Sequence, residues 1–251
     1  MVEDKKPSAL STVGKDLIKA FNTGVSYFIP IVVIGGVFLA FSLATGTAGK
    51  DGIEVTNPVM QSLNLIGMAG IKMMIPALAA YIAYSLGGKP ALAPGFVLGY
   101  LANNPVPSGD TQVSTGFLGA MVLGVAAGYF AKWMKSWKVN STIRTIMPIL
   151  IIPTLSSLVL GMVYIYVLAT PLGAFMDWLT GLLSSLQGGS AVVLGIVIGL
   201  MTAFDMGGPV NKAAYVTGTV LLGEGNTAFM AGVSAACIAP PLITTVAVLL
   251  F

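Results

Sequence analysis

Long apolar runs separated by short polar loops dominate this chain. The runs cover residues 21–49, 63–86, 114–131 and 143–169. Each approaches or exceeds the roughly 20 apolar residues that a helix needs to cross the hydrocarbon core of a bilayer. The pattern therefore predicts membrane-crossing helices. The last of these runs is predicted to be broken at Pro148 and Pro153, since proline removes a helical hydrogen bond.

The pattern changes in the final third of the chain. Residues 191–204 form a short apolar run, a charged glycine-rich segment follows, and residues 210–222 resume the apolar pattern before a last run to residue 251. Two half-length segments around a polar break are typical of discontinuous helices in transporters. We therefore predict an all-α membrane protein, a polytopic helical bundle with discontinuous or re-entrant helices.

Two shorter segments complete the predicted elements. Residues 90–103 are short for a crossing and are predicted to cross with a bend. Residues 171–187 read as an amphipathic or interfacial helix.

Composition agrees with a membrane protein. The chain is 56% hydrophobic and 8% charged, against roughly 25% charged residues in an ordinary soluble domain. Its 31 glycines suit helices that approach one another closely. Small residues recur at near-helical spacing at Gly116, Gly119, Gly124 and Gly128, which predicts a tight helix contact on that face.

The distribution of charge predicts an orientation in the membrane. Basic residues are concentrated in the amino-terminal lead-in, residues 1–20, and in the loop of residues 132–144, whereas the loop of residues 50–57 has no basic excess. Because cytoplasmic loops carry the Lys and Arg excess, the amphipathic lead-in and the 132–144 loop are predicted to be cytoplasmic. The net charge of +3 is small and is not gathered on one face, so nucleic acid is not an expected partner.

Two groups of basic residues can each be interpreted in two ways. The 132–144 loop contains Lys132, Lys135, Lys138 and Arg144 and no acid, and it is interpreted as a topology anchor, with a phosphate or partner site as the alternative. Lys72 lies inside a predicted crossing. It either snorkels to the outer interface with its alkyl stem in lipid or meets a partner within the bundle.

Missing residue types exclude several kinds of chemistry. The sequence has no histidine and a single cysteine, Cys237, in an apolar segment. Histidine acid–base catalysis, a phosphohistidine, histidine metal sites, internal disulfides and cysteine metal clusters are thereby excluded. No metal or cofactor is predicted, and the amino terminus lacks the pattern of a cleaved signal peptide.

The charged break in the last third is the candidate site. Charges in hydrocarbon survive only in protein or in a wet cavity, so they mark function. Gly207-Gly208-Pro209 ends one helix and begins the next, whose first turn exposes backbone amides. Asp205 can accept hydrogen bonds from two hydroxyls, and Asn211 can both donate and accept. The residues proposed to bind a polyol are Asp205, Gly207, Gly208, Asn211 and Lys212. A structural Asp205–Lys212 ion pair and a proton- or sodium-coupling role for Asp205 are the alternatives.

Several motifs together resemble a known family. They are Phe204-Asp-Met-Gly-Gly-Pro-Val-Asn-Lys-Ala-Ala-Tyr215, Lys89-Pro-Ala-Leu-Ala-Pro-Gly-Phe96, Gly99-Tyr100 and Gly116-Phe-Leu-Gly119. In order and content they are similar to the fructose-type enzyme IIC of the bacterial phosphoenolpyruvate-dependent sugar phosphotransferase system. The resemblance implies a homodimeric sugar permease, formed by residues 21–251, in the bacterial inner membrane among its lipids.

The resemblance also implies partners and leaves gaps. A phosphorylated IIB protein is expected to phosphorylate a fructose-like sugar during uptake, so the chain is expected to be the membrane subunit of a sugar phosphotransferase without a phosphoryl carrier of its own. Such proteins usually continue into a second re-entrant hairpin with a glutamate-containing motif, which implies a truncated or split chain here. The catalytic residue is therefore left unassigned, and an ion-coupled sugar transporter or a non-transporting membrane fragment remain alternatives.

Overall fold

The structure, a computed structural model, describes residues 9–49, 52–108, 111–175, 178, 191–204, 218 and 227–250. The chain divides into two compact units, Met1–Gly173 and Ala174–Phe251. The first unit contains the long helices and the second contains the charged motif.

The first unit begins with a long helical hairpin. Helix α1 spans Ala9–Ala44 and α2 spans Pro58–Gly87, and a small antiparallel pair of strands, β1 at Thr47–Gly49 and β2 at Gly52–Glu54, lies between them. The Asn57 side chain caps α2 by accepting a hydrogen bond from the Val59 N–H at 2.9 Å. The sequence predicted a lead-in that ends at residue 20, and the structure has one uninterrupted helix through that position.

A tight turn reverses the chain after α2. Helix α3 spans Lys89–Asn103, and the one residue between the two helices, Gly88, has φ of +71°. This left-handed conformation suits glycine, which has no Cβ to clash. The Lys135 ammonium donates a hydrogen bond to the Gly87 carbonyl and so satisfies one of the free acceptors at the end of α2.

The rest of the first unit is a second hairpin and a long helix. Strands β3 at Val106–Ser108 and β4 at Thr111–Val113 pair before α4 at Gly116–Lys135. The next elements are α5 at Ser141–Ile146, a π-helical segment at Met147–Ile151, α6 at Ile152–Val163 and a second π-helical segment at Tyr164–Leu168. Helical residues continue to Phe175.

The prediction that Pro148 and Pro153 break this last crossing is wrong. Residues Ser141–Phe175 form one continuous helix. Pro148 lies within the first π-helical segment and Pro153 just after it, so the chain accommodates both prolines by a local change of helix type rather than by ending the helix. Residues 171–175 also extend this helix, so the interfacial helix predicted from residue 171 does not begin there. Most of its remaining residues lie outside the described ranges.

Helix α2 is the centre of the first unit and packs against α1, α3 and α4. Glycines allow the backbones to touch: a Cβ on Gly124 of α4 would lie 2.7 Å from the Ala79 carbonyl oxygen, and one on Gly95 of α3 would lie 2.6 Å from the Ala80 Cα. The tight contact predicted for the α4 glycine face is confirmed at Gly124 and Gly128. Such small-residue contacts take the place of hydrophobic driving force between helices in lipid.

Within the described part of the chain, four helices are long and apolar enough to cross a membrane. They are Val13–Ala44, Pro58–Gly87, Gly116–Lys135 and Ser141–Phe175. The predicted all-α polytopic membrane architecture is confirmed. The two short strand pairs, which the sequence did not predict, are its only described β-structure.

The described part of the second unit consists mainly of two helices, α7 at Ala191–Phe204 and α8 at Thr227–Leu250. A small core joins them through buried Ile198 of α7 and buried Phe229 and Val233 of α8. Cys237 is exposed on α8.

Candidate functional site

In the sequence, the proposed sugar-binding residues come after α7 and before α8. Asp205, Gly207, Gly208, Asn211 and Lys212 are outside the described residues, so their geometry stays a prediction. The structure describes the helices that precede and follow this segment in the chain: α7 ends at Phe204 and α8 begins at Thr227.

The end of α7 that leads into the motif is well anchored. Thr202 is buried, and its hydroxyl donates a hydrogen bond to the Ile198 carbonyl at 2.8 Å. Ile198 is in turn buried against α8, where a Cβ on Gly232 would lie 3.1 Å from the Ile198 Cδ1. In the sequence, two residues separate this packed, hydrogen-bonded helical turn from Asp205.

The Lys89–Phe96 and Gly99-Tyr100 motifs lie in the first unit, on α3. A Cβ on Gly99 would lie 2.7 Å from the Ala79 Cβ and 2.9 Å from the Pro76 Cα. Pro90 occupies the first turn of α3, where proline is tolerated, and Lys89 is exposed beside it. In the described structure the two glycines of these motifs, Gly95 and Gly99, allow the close contact between α2 and α3.

The Gly116–Gly119 motif supports a buried pair of hydroxyl groups that the sequence analysis missed. The Thr115 and Tyr164 hydroxyl oxygens lie 2.8 Å apart, and both residues are fully buried. Gly116 has φ of +51° at the start of α4, and a Cβ on Gly119 would lie 1.8 Å from the Thr115 Oγ1. Gly119 thus leaves room for the Thr115 hydroxyl, which ties the start of α4 to the second π-helical segment. A tyrosine within an apolar crossing was the signal available in the sequence.

Basic and aromatic residues gather at the end of α4. Lys132 lies 3.8 Å from the Asp16 carboxylate of α1, and the Trp133 and Trp137 rings meet edge to face at 5.0 Å between centroids. Tryptophan and lysine at one end of a crossing are typical of the membrane–water interface. This arrangement supports the topology-anchor interpretation of the 132–144 loop.

Lys72 is exposed near the middle of α2. Its backbone carbonyl accepts a hydrogen bond from the Asn103 side chain at 3.4 Å, and among the described residues its ammonium has no acidic partner. Both interpretations of Lys72, snorkelling and a partner inside the bundle, stay predictions. The described residues also contain no group of three His, Cys, Asp or Glu side chains placed to hold a metal ion.

Comparison with known proteins covers nearly the whole chain. The protein-family model described as "Phosphotransferase system, EIIC" matches residues 22–251. A relative from Haloferax volcanii, "PTS system fructose-specific EIIC component", is 42% identical over 96% of this chain and 66% of its own length. "Fructose-like permease IIC component 2" of Escherichia coli K12 is 38% identical over 88% of the chain and 59% of its own length.

A third relative places the same region in a larger protein. "PTS system fructose-specific EIIABC component" of Bacillus subtilis 168 is 35% identical over 99% of this chain and 39% of its own length. The chain therefore spans between 39% and 66% of the length of these relatives. No solved structure matches the chain.

Proposed function

The chain belongs to the EIIC family of the phosphotransferase system, and from that membership we propose that it forms the sugar-translocating membrane part of such a system. It binds a fructose-like sugar and presents it to a phosphorylated IIB partner, so that the sugar enters the cell as its phosphate. The observation that supports this most directly is the charged, glycine-rich break at residues 205–212 within the family match. A charged break in an apolar segment is the feature expected of a substrate site in a transporter.

The proposed substrate site is made by the residues of that break. The Asp205 carboxylate accepts hydrogen bonds from two adjacent sugar hydroxyls, and the Asn211 amide both donates and accepts. Gly207 and Gly208 allow the sugar to approach the backbone amides at the start of the following helix. Lys212 holds Asp205 in its ionised form or meets the phosphoryl group as it arrives. No residue of this chain is assigned as the phosphoryl carrier.

Family membership supports the proposed IIB partner and a membrane location. Relatives named as EIIABC and EIIBC components support a IIB partner for this chain. The sequence has no histidine, so any phosphohistidine of the system lies outside these 251 residues. We place the chain in the bacterial inner membrane as a homodimer, with its amino terminus in the cytoplasm, because the basic excess of the lead-in and the 132–144 loop favours that side.

Uptake into vesicles tests this proposal against the other two functions. The purified full chain is reconstituted with IIB and its phosphoryl donors enclosed, and radiolabelled fructose is added outside. Fructose phosphate inside the vesicles is the expected product. Free fructose accumulating under an ion gradient would instead identify an ion-coupled transporter, and no accumulation of either species would identify a non-transporting fragment.

Two variants test the assignment of the site. Asp205→Asn keeps the shape of the side chain but leaves the charge of Lys212 uncompensated, and fructose affinity is expected to fall by more than about tenfold, a loss of about 1.4 kcal/mol. The double variant Asp205→Asn with Lys212→Met removes the unpaired charge. It is expected to insert and fold, and still to fail in binding by calorimetry. If the double variant bound fructose normally, the pair would be a structural pin and the substrate site would lie elsewhere.

A further inference from the structure

One face of α1 is exposed along most of the helix and changes chemically along its length. The exposed residues on this face are spaced three or four positions apart, which aligns them on a helix. They are Lys15, Lys19, Asn22, Ser26, Pro30, Val33 and Val37, referred to here as the α1 stripe. The stripe begins with two bases, continues with an amide and a hydroxyl, and ends in apolar side chains.

A shallow surface cavity of about 490 Å³, open to the outside and lined by residues of α1 alone, lies along the polar half of the α1 stripe between Lys15 and Tyr27. Hydroxyl groups in it already use their protons: Ser26 donates to the Asn22 carbonyl at 2.7 Å, and Thr23 donates to the Lys19 carbonyl at 2.8 Å. No hydrogen bond joins the side-chain amide of Asn22 to another described residue. The cavity therefore presents an exposed, unused amide donor.

The cavity is also positively charged. The acid nearest in sequence, Asp16, is directed to another helix, where it lies 3.8 Å from the Lys132 ammonium. Neither Lys15 nor Lys19 has a carboxylate partner among the described residues. Two uncompensated ammonium groups one helical turn apart attract an anion, above all a phosphate.

The order of groups along the stripe matches the depth profile of a phospholipid. At 1.5 Å per residue, Ser26 lies roughly 10 Å and Val33 roughly 20 Å further along the axis than Lys19. A lipid in one leaflet places its phosphate outermost, its ester carbonyls deeper and its acyl chains deepest. Asn22, one helical turn deeper than Lys19, lies at the depth of the ester carbonyls, and such a carbonyl can accept a hydrogen bond from its amide.

We propose that the α1 stripe binds one anionic glycerophospholipid. Lys15 and Lys19 hold its phosphate, the Asn22 amide donates to an ester carbonyl, and the acyl chain lies along Val33 and Val37. Charge favours a lipid over a second copy of the chain on this face. A parallel α1 from another protomer would bring its own Lys15 and Lys19 against these two, and like charges in contact oppose association.

Native mass spectrometry of the full chain in detergent, titrated with phosphatidylglycerol or phosphatidylcholine, tests the proposal. The wild type is expected to prefer phosphatidylglycerol. Lys15→Gln with Lys19→Gln is expected to weaken that binding by roughly 25-fold, since each lysine contributes about 1 kcal/mol and 1.4 kcal/mol corresponds to tenfold. The matched control, Lys138→Gln with Arg144→Gln, removes equal charge from another exposed site and is expected to change binding less than about threefold.

Asn22→Leu tests the deeper contact. Loss of one hydrogen bond is expected to weaken phosphatidylglycerol binding by roughly two- to tenfold. An unchanged affinity of this variant for phosphatidylglycerol would show that Asn22 does not contact the lipid, and would contradict the proposal.

Three other results would overturn it. Equal losses in both charge variants would indicate general attraction to anionic lipid rather than a site. Displacement of the lipid by glycerol phosphate at a similar concentration would identify a soluble phosphate as the ligand. A disulfide between two Val33→Cys chains that persists in excess phosphatidylglycerol would show that a second copy covers this face.

Discussion

Gly119→Ala should disrupt the buried hydroxyl pair at the start of α4. The added methyl would lie 1.8 Å from the Thr115 Oγ1, 2.7 Å from the Thr115 Cβ and 3.2 Å from the Ala102 Cβ. Rotating the Thr115 side chain would relieve the first contact but would move the hydroxyl away from Tyr164, and it would leave the second contact in place. Because Thr115 and Tyr164 are fully buried, neither hydroxyl would reach water.

Two effects set the size of the loss. Overpacking a filled interior costs about 1–3 kcal/mol, and leaving a buried hydroxyl unpaired costs about 1–3 kcal/mol, though hydrogen bonds within membranes average nearer 0.6 kcal/mol. A total of about 2–4 kcal/mol is expected, which for a chain of this size corresponds to a fall in Tm of roughly 5–15 °C.

Thermal unfolding of the purified chain in detergent measures this change. Gly36→Ala is the matched control, because a Cβ at Gly36 of α1 meets nothing within 4 Å. That variant is expected to keep or slightly raise Tm, since alanine is the better helix former. Tyr164→Phe completes the test: combined with Gly119→Ala, it should add little further loss, because the hydrogen bond is already gone. A Gly119→Ala variant as stable as the Gly36→Ala control, or fully additive losses in the combined variant, would refute the reasoning.

Two predictions concern topology and chemistry. A cysteine introduced at Ser136 should react with a membrane-impermeant thiol reagent in inverted vesicles and not in intact cells, because the 132–144 loop holds the basic excess; labelling from outside would reverse the assigned orientation. The purified chain should form no sugar phosphate from phosphoenolpyruvate until the soluble partner proteins are added, as radiolabelled product analysis would show. Stable phosphate on Cys237 in the absence of those partners would contradict this.

Some features of the protein follow from local sequence because the bilayer acts on each segment separately. The apolar run that begins at residue 21 must cross as a helix whatever else the chain contains, since hydrocarbon offers no partner for a free amide. The turn at Gly88 is equally local, because the double glycine and the following proline end one helix and start the next. The charged break at residues 205–212 is also a local signal, because the free-energy cost of placing its charges in a membrane depends on the apolar residues around them.

Other features required the tertiary structure. The sequence around Pro148 reads as a break, but the chain continues through it as a π-helical segment. Thr115 and Tyr164 are 49 residues apart, and no local pattern pairs them. The sequence also does not predict which face of α1 is exposed, because a polar or apolar stripe has the same pattern whether it contacts another helix or lipid. Membrane-crossing helices are determined by the bilayer around each segment. Which helix faces contact one another is determined by long-range packing, which only the folded chain shows.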